Sequence, residues 1–208
     1  MTGVENFPAF IITAFIFEIT PGLDTMFVLN KSLQQGKRSG LYATLGVNTG
    51  VLIHTLIGAV GITVLLASSP VGFGVVKYVG ALYILYMGIS GLKSKADIFS
   101  LSPHSTAKNK GSKSFWSGFV TNAFNPNVAL FFIALFPQFI GADYLNSPIP
   151  FVVLGITYAI LGIIWLAVLA IFAGALSIRL HNRPKTGYYV QKGSAVAFIV
   201  MAVMMVVL

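Results

Sequence analysis

The chain has 208 residues, 56% of them hydrophobic and only 9% charged, with a mean hydropathy of +0.87. A soluble domain carries about 25% charged residues, so this composition excludes an ordinary water-covered fold. The formal charge of +8 does not mark a nucleic-acid binder, because Lys and Arg fall in short clusters between long apolar runs, and the lack of cysteine excludes disulfides and thiolate metal sites.

A bilayer core of about 30 Å takes roughly 20 apolar helical residues to cross, and six stretches qualify. Before the first, the chain offers Glu5 and no Lys or Arg, so the N-terminus does not read as a signal peptide. Span one, about 7–29, contains Glu18, Thr20-Pro21-Gly22, Asp24 and Thr25. Span two, about 40–67, places Gly46, Gly50, His54 and Gly58 on one stripe at spacings of four, with Asn48 and Thr49 beside it. Small residues at that spacing permit close helix packing, so this face should be buried against a neighbour. Span three covers about 72–92. The Ser- and Lys-rich segment 94–113 reads as a solvated loop. Span four, about 114–140, contains Asn125-Pro126-Asn127. Spans five and six cover about 149–178 and 188–208.

The connections set the orientation. Lys31, Lys37 and Arg38 follow span one; Lys93, Lys95, Lys108, Lys110 and Lys113 follow span three; Arg179, Arg183, Lys185 and Lys192 follow span five. Together they hold twelve of the thirteen basic residues, and the opposite side has Lys77 alone. Basic loops stay cytoplasmic, so both termini are expected outside.

Two proline motifs fall at similar depth, in spans one and four. Proline removes a backbone donor and pushes the preceding residue out of the α region, and a capping residue followed by proline is a helix-start signal. The expectation is an all-α membrane protein of six transmembrane helices in a 3+3 inverted repeat, with helices 1 and 4 broken at proline near the midplane. One domain then spans 1–208, made of a first half 1–93, the cytoplasmic loop 94–113 and a second half 114–208. In inverted halves the two new helix N-termini point toward each other, and such ends attract a carboxylate. Thr20, Pro21, Gly22, Asp24, Thr25, Asn125, Pro126 and Asn127 are therefore the candidate substrate-binding residues.

Spans two, four and five have no Asp, Glu, Lys or Arg in their interiors, whereas span one has Glu18 and Asp24 around the break. An intramembrane charge costs at least about 2.5–3.5 kcal/mol and points to an ion or proton pathway. Glu18, Asp24 and His54 are the candidate proton-coupling groups, with Lys31 on the same helical face as Asp24 as its candidate partner. His104 and His181 lie in connections, so no histidine cluster suggests a metal site. Neither a Walker motif nor a catalytic constellation is present, so no cofactor and no enzymatic activity is expected.

On these residues the sequence resembles the lysine-exporter (LysE/RhtB) family of bacterial amino-acid exporters. The resemblance runs over essentially the whole chain: Thr20-Pro21-Gly22-Leu23-Asp24-Thr25, Gly46 to Gly50 with His54, GALYILYMG from Gly80 to Gly88, and NPNVALFFIALFPQF from Asn125 to Phe139. The family's usual Pro-Gly-Pro reads Pro21-Gly22-Leu23 here, and its usual Asn-Pro-Lys reads Asn125-Pro126-Asn127, which removes an embedded cation. The resemblance implies proton-driven export of amino acids or close derivatives from a bacterial cytoplasmic membrane. The partners are then the amino acid, protons and the lipid bilayer, with a homodimer left open. An inorganic-ion transporter and a non-transporting membrane subunit are the competing readings.

Overall fold

A computed structural model describes residues 2–20, 22–62, 70–93, 111–181 and 184–207. Among the described residues eight α-helices follow in order: α1 (Phe7–Ile19), α2 (Leu23–Gln35), α3 (Lys37–Ile57), α4 (Pro70–Lys93), α5 (Gly111–Ala123), α6 (Pro126–Leu135), α7 (Pro148–His181) and α8 (Pro184–Val207). Among the described residues α3 and α7 are each long and apolar enough to cross a membrane, over Lys37–Val60 and Pro148–Ala173. Two further spans result if each bent pair, α1 with α2 and α5 with α6, counts as one. Helices α4 and α8 occupy the third and sixth expected stretches. Most of the segment 94–113 lies outside the described residues, as does 63–67 at the end of the second expected span.

The bent pairs have local causes. α1 ends at Ile19, and Thr20 turns extended at φ −68°, ψ 123°; α2 restarts behind Gly22, and the two axes meet at 53°. Asn125 likewise turns extended at φ −79°, ψ 108° before Pro126, the first residue of α6, and this pair bends by 52°. Thr20 does not play the capping role expected of it. Its hydroxyl donates back to the Ile16 carbonyl at 2.6 Å, and α2 begins at Leu23 with Gly22 as its N-cap and no side-chain cap. Pro21 lies outside the described residues.

Helix α3 is the hub, packed against α2, α5 and α7, while α4 packs on α8 and α6. The glycine stripe explains the α3–α5 contact. A Cβ on Gly46 would stand 2.0 Å from the Phe115 carbonyl oxygen, so only glycine permits this approach of backbones. Gly46, Gly50 and His54 are buried as the stripe predicted; Thr49 faces away and donates to the Leu45 carbonyl.

Two apolar cores divide the bundle by depth. At one end Phe10, Phe131, Phe132, Phe136 and Phe151 are buried with Tyr158. A short pairing closes over this end, with Glu5 N donating to the Phe139 carbonyl at 2.9 Å and Gly141 N to the Gly3 carbonyl at 3.0 Å. At the other end Val28, Leu29, Ala43, Val47, Leu166 and Leu169 form the second core. The polar residues Glu18, Asp24, Asn48, Asn122 and Asn125 fall between the two along their helices. Outward faces carry exposed Ile12, Leu45, Leu56, Val60, Ile164 and Phe172. So much exposed apolar surface is costly in water and ordinary against lipid tails.

Candidate functional site

The site is assembled at the two helix restarts. Asp24 is the second residue of α2, where a negative charge complements the helix dipole. Its Oδ2 accepts from Asn122 Nδ2 at 2.9 Å and from Asn125 Nδ2 at 3.2 Å. Each such amide-to-carboxylate bond contributes about 1.5–3 kcal/mol, so Asp24 ties α2 directly to the α5–α6 junction. Its Oδ1 is buried without a partner among the described residues. Lys31, the expected partner, instead sits with its ammonium 5.6 Å from the Phe27 ring centroid.

Asn125 has two roles. Its Nδ2 serves Asp24, and its Oδ1 accepts from Asn127 N at 3.0 Å, capping α6. The Asn127 side chain turns to α4, where its Oδ1 accepts from the Tyr83 hydroxyl. An embedded lysine, usual at this position in the resembled family, is thus replaced by a neutral hydrogen-bonded link.

His54 joins the Asp24 side of the site. Its Nε2 is 3.0 Å from the Asn122 carbonyl oxygen; a carbonyl only accepts, so Nε2 carries the proton and donates. The ring packs 5.9 Å from Phe132. Asn122 thus joins His54 to Asp24, its backbone carbonyl facing the ring and its side-chain amide serving the carboxylate. Glu18, in the last turn of α1, faces the Tyr158 hydroxyl of α7. The two acids have separate surroundings.

A cavity of about 90 Å³ connects them, lined by Phe17, Glu18, Thr20, Gly22, Asp24 and Thr25 and closed by Asn125, Asn127, Val128, Tyr158 and Phe198. That volume admits a few water-sized groups. Seven residues expected at the site, Glu18, Thr20, Gly22, Asp24, Thr25, Asn125 and Asn127, line this one cavity. His54 stands behind it, and Pro126 contributes the helix start.

Sequence reasoning missed Asn122, Tyr158 and Tyr83. Asn122 precedes Asn125 by three residues, one helical turn on the same face, and that spacing was a usable signal. Tyr158 and Tyr83 carried none: a tyrosine in an apolar helix is as readily an anchor or a packing residue.

The described residues thus form an apolar helical bundle with two helices restarting at a polar interior. The LysE type translocator model matches residues 15–208, and the chain belongs to that family of membrane proteins. It is similar to the "Uncharacterized membrane protein YrhP" of Bacillus subtilis, 34% identical over 76% of this chain and 78% of the relative. It is also similar to proteins named "Leucine efflux protein" in Enterobacter sp. (strain 638), 31% identical over 85% of this chain and 83% of the relative, and in Salmonella typhimurium, 30% identical over 83% and 81%. No solved structure gives a significant match.

Proposed function

We propose that the protein is a secondary active exporter of amino acids or close derivatives, driven by proton antiport. The carrying observation is the cavity shared by Glu18, Asp24 and the two helix restarts. Family membership and the names of the leucine efflux relatives support the substrate class.

In this reading the bundle has six spans in a bacterial cytoplasmic membrane, both termini outside, with α1–α2 and α5–α6 as broken first and fourth spans. Exchanging the halves returns α3–α7 and α4–α8 to themselves and carries α3–α5 onto α7 with α1, contacts that occur, whereas α2–α3 has no counterpart of similar extent between α6 and α7 among the described residues. The packing therefore supports two related halves in part. The substrate carboxylate binds at the Gly22 end of α2 with the Asn125 side chain and the Asn127 end of α6 nearby, and Asp24 Oδ1 receives the substrate ammonium. Glu18 takes up a proton from outside and releases it inside as the amino acid leaves.

Proteoliposomes holding only this protein test the reading. A labelled amino-acid panel should show export coupled to opposing proton flux. Glu18→Gln keeps the shape and removes the titratable group, so it should abolish uphill export while sparing exchange. Normal uphill export by Glu18→Gln with an intact response to external pH would place the proton elsewhere.

A further inference from the structure

Glu18 and Asn48 meet at a bare backbone. Asn48 of α3 is 3% exposed, and its Nδ2 donates to the Thr44 carbonyl at 2.9 Å. Because that carbonyl can only accept, the amide cannot be turned round, and Oδ1 must face away from its own helix. Oδ1 has no donor among the described residues. A Cβ on Gly162 of α7 would stand 2.5 Å from Asn48 Oδ1 and 2.9 Å from Glu18 Oε1. Both oxygens therefore crowd the place where a side chain on Gly162 would begin.

Two acceptor oxygens facing one bare backbone position lack a donor from it. A neutral carboxyl supplies one, since it has one hydroxyl donor and one carbonyl acceptor, whereas a carboxylate has acceptors alone. Tyr158 offers the Glu18 carboxyl a hydroxyl donor, and Asn48 Oδ1 offers it an acceptor. We propose that Asn48, Gly162 and Tyr158 form a receptor for the neutral Glu18 carboxyl, with Asn48 Oδ1 accepting the acid proton. Asn48 and Gly162 are positioning residues in this arrangement.

The remaining elements around Glu18 leave that match undisturbed. Asp24 faces it from α2, but Asp24 is held by Asn122 and Asn125. His54, the titratable group of α3 in this region, is committed to the Asn122 carbonyl. Helix α6 presents Asn127 and Val128 to the cavity and α8 presents Phe198. The consequence for the proposed transport cycle, on which this step rests, is mechanical. A proton on Glu18 latches α1 to α3 in the first half and to α7 in the second, and its departure frees that junction.

Infrared difference spectroscopy of the purified full-length protein in lipid reads the receptor without reference to transport. The wild type should show a hydrogen-bonded carboxylic-acid carbonyl band that is lost in Glu18→Gln. Asn48→Ala removes the acceptor and should move that band to higher wavenumber. Gly162→Ala forces the two oxygens apart and should move it the same way, which covers the case in which Asn48→Ala does not fold. A wild type with no acid band sensitive to Glu18→Gln overturns the proposal, and so does a band that neither variant moves. If the band behaves as stated while Glu18→Gln still exports uphill, the receptor stands and the proton-carrier reading falls.

Discussion

The two interrupted helices meet at one polar centre but finish their breaks differently. At the α5–α6 junction Asn125 fills the N-cap position and its own side chain satisfies Asn127 N. At the α1–α2 junction Gly22 fills that position with no side chain to offer, and Thr20 has turned its hydroxyl back to Ile16. The second break is self-capped and the first is open toward the cavity. An anion approaching from that cavity competes with a built-in cap at α6 and with none at α2. Within the proposed function, this asymmetry gives the α5–α6 junction the holding of the geometry and leaves the α1–α2 junction to meet the ligand.

The link between the junctions should show the largest effect. Asp24→Leu removes both amide-to-carboxylate bonds and leaves two buried side-chain amides unpaired, a loss of about 3–6 kcal/mol. Unfolding of the purified protein should shift by that amount, and substrate exchange should disappear with it. A stable, exchanging Asp24→Leu protein would mean the junctions are independent, and the comparison between them would lose its basis.

The sequence made the helical stretches legible because each is mainly apolar and the connections between them are basic or short. It made the acids legible because a charge in an apolar run has few innocent explanations. Partner choice was hidden. Lys31 follows Asp24 at helical spacing, yet Asp24 takes Asn122 and Asn125, residues about a hundred positions away that only the packing of α2 beside α5 brings into reach. Thr20 failed as a cap for a local reason: at a helix end the Ile16 carbonyl is as close to its hydroxyl as any amide ahead of it, and such back-bonding competes with capping. Gly162 was invisible as a functional position, since its importance lies in the two oxygens that its missing side chain lets in.

Single substitutions at the two junctions should differ in a way that sharpens the contrast. Asn125→Ala deletes a cap, about 1 kcal/mol, together with a bond to Asp24 of about 1.5–3 kcal/mol. Its unfolding free energy should therefore fall by about 2–4 kcal/mol. Thr20→Val deletes only a hydroxyl bonded to its own helix and should change stability by about 0.5 kcal/mol or less. Equal losses in parallel denaturation experiments would mean that both junctions depend on their polar side chains alike, which removes the division of labour.

The smallest effect on stability, and the most direct test of the open junction, belongs to Gly22→Ala. Gly22 is extended at φ −130°, ψ −169°, a conformation open to any residue. A Cβ there would have the Thr20 carbonyl oxygen at 3.9 Å as its nearest neighbour, which is ordinary contact. Folding should therefore tolerate the methyl group, with stability within about 0.5–1 kcal/mol of wild type, since the gain from restricting the unfolded chain is offset by alanine's poorer fit to an N-cap. The methyl projects beside a cavity of about 90 Å³ whose wall Gly22 forms. If the substrate carboxylate docks on the uncapped α2 terminus, that methyl stands in its path, and the KM for export should rise about tenfold, equivalent to about 1.4 kcal/mol of binding. A Gly22→Ala protein that is both stable and unchanged in KM would move the carboxylate away from α2 and leave the capped α6 end, with Asn125 and Asn127, as the place to look.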